Sequence, residues 1–456
     1  MSGLIPSSVP ATWRAPGKLV LLGEYAVLDG AGAIVAAVDH GVDCRRSPGR
    51  LGWSTPGDDR FVRHVLQTLP LEIGQFAFTD WNPVQLQGAK AGFGGSAASV
   101  VAAVLAAGRP PLSAFDVHRA VQGGGSGVDV YASLNGGVRR VPDGKRVPMP
   151  PFAVVWSGRS ALTGPRLKQF EAWGRADPRA KRAFVRASRA LVDGFGGNPV
   201  GATREAWGLL RAMARAARLE YETPELVALA ALAESLGGAG KPSGAGGGDI
   251  AVSAFVDSER RDAYTARCAD LGFTVIPCAI AEPACLYAMH GPRIDLVPFT
   301  PERLVLALED RPGLARSLGA SIPASWPQPD YAAVMRVLAE RWSLDAREAD
   351  WAWLVVDAPT DGPRRLVGEI GGKVGPSRKG ELEFGYAIIP ERRGEGLAKE
   401  AAAVFAAWAR GQPGVKVLTA ECVESNLASR AVLRSVGLSE VGARMEAGNR
   451  LIRLRG

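Results

Sequence analysis

Cysteine and histidine are scarce in this chain of 456 residues, with five and four respectively. Cys44, Cys268, Cys278, Cys285 and Cys422 are odd in number and fall in no C-x-x-C spacing, so neither a disulfide framework nor a zinc site is indicated. His40, His64, His118 and His290 lie far apart, and each reads as structural or exposed rather than as a metal ligand. No stretch of about 18 apolar residues is free of charge or frequent glycine, and the start lacks the basic and apolar segments of a secretory leader. A cytoplasmic protein with no membrane partner is expected. No unit of about 20–50 residues repeats, which argues against a solenoid or propeller. Concentrated charge is absent too: the net charge is +8, but the arginines are spread along polar helix faces. Nucleic acid is not expected as a partner, and small anionic substrates account for the excess.

Glycine, by contrast, is abundant at 56 residues, and 47% hydrophobic against 22% charged residues is the balance of an ordinary globular chain. Its length suffices for two or three cores. From residue 15 to about 290 strand and helix patterns mix. KLVLLGEYAVLDG and AIVAAVDHGVDCR read as strands with turns, SAASVVAAVLAAG and RAKRAFVRASRALVDGF as helices. IAVSAFV, SERRDAYTARCADLGF and TVIPCAIAEPACLYA read as strand, helix and strand, an α+β ending. After HGPR the pattern restarts. IDLVPFTPERLVLALED is strand then helix, and proline-rich ASIPASWPQPD leads into the helix YAAVMRVLAERW. Three strand candidates then precede the helix GLAKEAAAVFAAWAR, the strand VKVLTAECV and the helix LASRAVLRSVG. The restart places a boundary near residue 293, with one domain over 1–293 and another over 294–456.

KPSGAGGGD, Lys241 to Asp249, sets bare backbone beside a cation and an anion. Such a run suits a linker. Here a helical stretch precedes it and an apolar strand follows, so the loop is held at both ends. In KAGFGGSAASVV a glycine loop runs directly into an alanine-rich helix, a junction whose amides and dipole favour anions. No Lys-Ser or Lys-Thr follows those glycines, so a Walker loop is not matched. Ser96 at the helix start reads as a cap, a phosphate contact or a magnesium ligand. Asp129 in GGGSGVDVYASLNGG opens a helix, where an acid commonly offsets the dipole, and Lys18 follows a Pro-Gly turn before an apolar strand. WSGRSALTG offers Arg159, Ser160 and Thr163 as anion contacts, or as an ordinary exposed turn.

In this order PGKLVLLGEYAVLDG, GFGGSAAS, SGVD and KPSGAGGGD resemble the motifs of the GHMP kinase superfamily over about residues 14 to 290. They are most similar to those of phosphomevalonate kinases. The resemblance implies an α+β, two-lobed fold, with a ribosomal S5-like N-terminal part and a ferredoxin-like C-terminal part. It implies ATP-dependent phosphorylation of phosphomevalonate to diphosphomevalonate in isoprenoid biosynthesis. Gly92, Gly94, Gly95, Ser96 and Ala97 would wrap the ATP phosphates, with Ser96 toward Mg2+. Lys18 would neutralise charge on the transferring phosphoryl group. Asp129 would be base or orienter, the base being less needed because the acceptor phosphate is already ionised. The implied substrate residues are Ser126, Lys241, Ser243, Gly244, Gly246 and Asp249, with Lys241 and Ser243 supplying a cation and a hydroxyl. One departure stands out: Gly95 occupies the place of the first of two serines common in the superfamily. No adenine-contact signature is found between residues 45 and 85, which leaves the nucleotide preference open.

The later stretch IIPERRGEGLAKEAAAVFAAWA is a strand, an arginine and glycine loop, and a helix. Arg393, Gly396 and Ala398 fit R-x-x-G-x-A, and with ECVESNLASRAVLRSVGL they resemble the two cofactor segments of GNAT acetyltransferases, an α/β acyltransferase fold. The likeness spans roughly residues 296 to 456 and is strongest to the ribosomal-protein-type enzymes. It implies acetyl-CoA bound by Arg393, Gly394, Gly396, Ala398 and Asn426. Deprotonating an amine acceptor needs a base. Glu383 is the candidate, a solvated strand-edge glutamate being the plainer reading. The acceptor itself is unspecified.

The leading expectation is a bifunctional transferase. Mevalonate kinase or another GHMP small-molecule kinase is the first alternative, which KPSGAGGGD weighs against, and a related ATP-dependent decarboxylase matches less well. The other alternative is a monofunctional enzyme in which one domain only binds a ligand or assists assembly.

Overall fold

The computed structural model describes residues 5–70, 72–84, 86, 91–161, 163–359 and 362–456. Strand β1 (Ala11–Leu22) is buried at every position but one, as its near-continuous apolar run requires, and pairs antiparallel with the long β2 (Ala33–Ser47). Two further strands, β3 (Gly52–Ser54) and β4 (Gln75–Trp81), extend the sheet past one end of β2, and β5 (Val138–Val141) pairs with the other end. A second sheet, all antiparallel, is built from β6 (Phe152–Trp156), β7 (Ala239–Pro242), β8 (Ile250–Ala254) and β9 (Thr274–Ile276) in the order β7-β8-β6-β9. Between the sheets' sequences run helices that begin where a side-chain oxygen is available to cap them. Asp177, Asn198, Thr223 and Asp257 each accept an amide hydrogen from the first turn.

TVIPCAIAEPACLYA is not one strand. It ends at Ile276 and resumes as β10 (Cys285–His290), because Pro277 and Pro283 cannot donate to a ladder. The chain turns at once into β11 (Ile294–Pro298), followed by β12 (Ala352–Asp357), β13 (Arg365–Gly372), β14 (Glu381–Ile388), β15 (Val417–Val423), β16 (Ser439–Glu446) and β17 (Asn449–Arg455). The region around residue 293 is therefore a hairpin turn: β10 pairs with β11 through Met289↔Leu296 and His290↔Asp295. As a result, among the described residues, one sheet of 13 strands runs β16-β17-β15-β14-β13-β12-β11-β10-β1-β2-β4-β3, with β5 beside β2.

Apolar packing is equally continuous across this hairpin. Met289 and Leu296 belong to one buried cluster with Val100 and Val104 on one side and Leu354 and Phe405 on the other. Polar groups stitch the same place. His290 lies 2.7 Å from the Thr12 hydroxyl and 2.6 Å from Asp295, whose other oxygen meets Arg364. Burial works against the Asp295 charge, but His290 and Arg364 outweigh it and hold the carboxyl below its ordinary range.

Farther along, Glu369 on β13 is 5% exposed beneath Trp326, whose indole N–H donates to it at 2.8 Å. Burial pushes its pKa from 4.5 up to about 7, although the indole bond favours the charged form. A carboxyl raised in this way favours the fold fully below pH 4.5, and that contribution is lost as pH rises through about 7. Thermal stability is thus expected to fall between about pH 5 and 7, and Glu369→Gln to flatten that fall; an unchanged slope in the variant would refute the assignment.

Candidate active sites

Three short backbone approaches bring the glycine-rich stretches together. Gly17 lies so close to the chain beyond that an added Cβ would fall 2.0 Å from the His40 carbonyl and 2.7 Å from that of Phe93. The next residue, Lys18, donates its amide to Phe93 O at 2.8 Å, which fastens β1 to the GFGGS loop. Gly94, at φ 75°, ends that loop and starts the helix Gly95–Ala106. A Cβ at Gly94 would sit 3.0 Å from Lys18 Cγ and 3.5 Å from Asp129 Oδ2. At Gly95 an added Cβ would meet nothing within 4 Å, so the helix start faces open space with its first amides unpaired by the helix. Such a helix start favours an anion, while Ala97 behind it is buried in the core with its amide donated to Gly94 O at 3.0 Å.

Lys18 Nζ lies 3.7 Å from Asp129 Oδ1, on the first turn of the helix Val128–Asn135, and 3.8 Å from where a Cβ would stand on Gly244. Lys18, Ser126, Asp129 and Gly244 line one cavity of about 150 Å³. Asp249 plays a different part. At φ 56° it accepts the Ala161 amide at 3.0 Å, and a Cβ on Gly92 would be 2.8 Å from its carboxyl carbon. It clamps the WSGRSA turn and the GFGGS loop together. Burial raises its pKa, opposed by the Ala161 amide, Lys18 and Arg166.

Two expectations need correction. Lys241 is 1% exposed and its ammonium is spent on Glu24, with further bonds to the Val20 and Pro242 carbonyls at 3.4 and 3.0 Å. Burial lowers its pKa, and Glu24 supplies the countercharge that opposes the shift. Ser243 is likewise buried, its hydroxyl accepting the Val20 amide at 2.9 Å. Neither reaches the cavity. Both lock β1 to the last glycine loop, and Gly246 lies so close to the Tyr221 ring that an added Cβ would fall 2.2 Å from it. Beside that loop Arg159 pairs with Glu225, while the side chain of Thr163 lies outside the described residues.

Two cavity residues carried no sequence signal. Tyr25 adopts φ 62°, and its hydroxyl donates to the Ala245 carbonyl at 2.6 Å. A strained tyrosine is worth its cost where it closes a pocket wall. His118, expected to be structural or exposed, lines the cavity with its Nε2 3.5 Å from Ser96 Oγ. Burial lowers its pKa despite Asp129, so the ring is neutral at neutral pH. Asp39, His40 and Cys278 also cluster within 4.8 Å. Both His40 ring nitrogens are engaged at 2.7 Å by the Asn82 and Pro277 carbonyls, and burial keeps the Cys278 thiol protonated, which suits packing rather than metal binding.

A second candidate site lies at the other end of the sheet. β14 and β15 pair in parallel only from Glu381 to Glu383 and then diverge. Where they part, an added Cβ on Gly385 would meet nothing within 4 Å. Glu383 stands at the mouth of this split, its carboxylate paired with Lys373. Beyond β14, Gly394 and Gly396 take φ 81° and 84° and open the helix Leu397–Arg410, with Ala398 partly buried in the core. Arg393 is exposed, and donates to Ile388 O at 3.0 Å and to Gln328 Oε1 at 2.6 Å. Asn426 caps the helix Leu427–Ser435 by accepting the Ser429 amide at 2.9 Å.

A glycine-cradled lysine and aspartate in one half, and a split parallel pair with a glycine turn in the other, define a kinase-like part followed by an acyltransferase-like part. Comparison with known proteins agrees. Residues 293–439 match the Acetyltransferase (GNAT) domain family. The phosphomevalonate kinase of Streptomyces sp. (strain CL190) is 28% identical over an alignment of 339 residues, covering 54% of this chain and 90% of the relative. The structure of the Lin0012 protein from Listeria innocua is 22% identical and superposes with a TM-score of 0.54, covering 61% of this chain and 99% of that one. Streptococcus pneumoniae phosphomevalonate kinase is 19% identical with a TM-score of 0.45, over 60% of this chain and 100% of that one. Residues 293–439 are thus similar to GNAT domains, and the N-terminal part is similar in sequence to a phosphomevalonate kinase. Among the described residues no helix is long and apolar enough to cross a membrane.

Replacing Lys241 by Met would leave the Glu24 carboxylate buried without its countercharge. Lys241→Met is therefore expected to cost about 3–5 kcal/mol in denaturant unfolding, the usual penalty for breaking a buried pair. Wild-type stability with loss of turnover would instead assign Lys241 to the substrate.

Proposed function

We propose that the N-terminal part transfers the γ-phosphoryl group of ATP to phosphomevalonate, and that the C-terminal part transfers acetyl from acetyl-CoA to an amine. The observation that supports the first half is the meeting of Lys18, Asp129 and Gly244 around one cavity, with Gly94 lying against the Lys18 stem. The 28% identical relative is a phosphomevalonate kinase, which favours that acceptor over mevalonate. ATP, when bound, supplies the phosphoryl group, and the GFGGS amides and the helix dipole would hold its phosphates. Ser96 would be the protein's ligand to Mg2+.

Lys18 is the residue on which the chemistry rests. Its ammonium faces the loop where negative charge grows during transfer, and Asp129 at 3.7 Å keeps it aimed there. A phosphate acceptor is already ionised at neutral pH, so Asp129 works as an orienter rather than an obligatory base. His118, neutral beside Ser96, adds a polar wall without adding charge.

In the second half, acetyl-CoA when bound supplies the acetyl group. The glycine turn before Leu397 would take its pyrophosphate, and the split between β14 and β15 its thioester arm. Glu383, at the mouth of that split, would accept the proton of the amine, directly or through water.

ADP release from ATP and magnesium tests the first half, with phosphomevalonate and mevalonate offered in parallel. Turnover is expected on phosphomevalonate, and Lys18→Met is expected to reduce it at least about a thousandfold while acetyl-CoA binding is unchanged. Silence on both acceptors, or joint loss of turnover and acetyl-CoA binding in the variant, would defeat the reading.

A further inference from the structure

The arginine that matches the GNAT motif is exposed but partly engaged. Arg393 donates from Nε to Ile388 O and from Nη2 to Gln328, and Arg392 spends its guanidinium on Asp357 at 2.6 Å and Glu395 at 2.9 Å. Yet the loop carries two carboxylates at a place meant for a pyrophosphate, Glu395 within the turn and Glu400 on the first turn of the helix. An anion approaching this helix start would meet Glu400 unless something offsets it.

Arg293 does so, and it comes from the β10–β11 turn rather than from the cofactor loop. Glu400 Oε1 accepts the backbone amides of Arg293 at 2.6 Å and Ile294 at 3.1 Å, and Oε2 accepts from Arg293 Nε at 3.1 Å. Arg293 Nη1 also donates to the Glu395 carbonyl at 3.1 Å, and its Nη2 lies 3.5 Å from where a Cβ would stand on Gly396. The guanidinium therefore rests at the glycine turn itself. Its side chain is 53% exposed while that of Glu400 is 11% exposed, so the cation rather than the anion faces solvent.

We propose that Arg293 is a pyrophosphate-binding residue of the acetyl-CoA site, one that cancels the charge of Glu400 and offers its remaining N–H donors to the cofactor. The inference rests on the acetyl-CoA reading given above. It has a structural corollary: the cation completing the acyltransferase loop is carried on the hairpin that continues the kinase sheet.

Calorimetric titration of the full chain with acetyl-CoA, and with pantetheine as a probe lacking the pyrophosphate, tests it. Arg293→Ala is expected to weaken acetyl-CoA roughly tenfold and to leave pantetheine unaffected. Glu400→Gln retains an acceptor for the two backbone amides and removes the carboxylate charge, so Arg293→Ala/Glu400→Gln is expected to recover part of the lost affinity. Equal affinity of wild type and Arg293→Ala for acetyl-CoA would overturn the inference while leaving the acetyl-CoA reading intact. A wild type that binds no acetyl-CoA would overturn both. A double variant weaker than the single one, with a lower melting temperature, would make the contact a structural brace and overturn the inference as well.

Discussion

The kinase-like half depends on how closely backbone can approach backbone around Lys18. At Gly17 the chain passes the His40 and Phe93 carbonyls at distances no Cβ permits, and at Gly94 the phosphate loop lies directly on the lysine stem. A larger residue at Gly17 would lift the loop off the strand, because the blocking atoms there are backbone and have no rotamer to yield. The site is in this sense a steric product first and an electrostatic one second. Only once these contacts are made does the Lys18 ammonium come within 3.7 Å of Asp129.

Other residues of the same motifs hold this geometry in place through buried contacts with one another. Lys241 and Glu24, both almost wholly buried, tie the last glycine loop to β1, and Ser243 does the same through the Val20 amide. A buried pair gives no assurance of net stability, but losing one partner is costly, which makes it a device for specifying one arrangement of strands. Asp249 closes the circle by binding the Ala161 amide beside Gly92. Charged residues inside a glycine-rich motif thus divide into those that face the cavity, Lys18 and Asp129, and those that fix the loop.

That division is what the sequence could not express. The helix starting at Gly95 and the helix bearing Asp129 were legible, because each rests on local pattern. The direction of Lys241 was not, since a lysine beside glycines looks available until Glu24, more than two hundred residues earlier, is placed against it. His118 was hidden for the same reason: its meeting with Ser96 is made by the packing of two helices. The interruption of TVIPCAIAEPACLYA could have been read from Pro277 and Pro283, whose missing N–H groups break a ladder. Nothing local announces that β10 and β11 join two sheets into one of 13 strands, because strand partners are chosen by the tertiary fold.

Continuity of the sheet sets the two candidate sites on one frame, with Arg293 at the turn where the two parts meet. The central claim nevertheless concerns the cavity around Lys18. A phosphorus NMR spectrum of the products formed from ATP, magnesium and phosphomevalonate tests it most directly. The account predicts coupled diphosphate resonances of a new organic product growing in step with those of ADP. Release of inorganic phosphate alone, or an unchanged spectrum from folded protein, would contradict it.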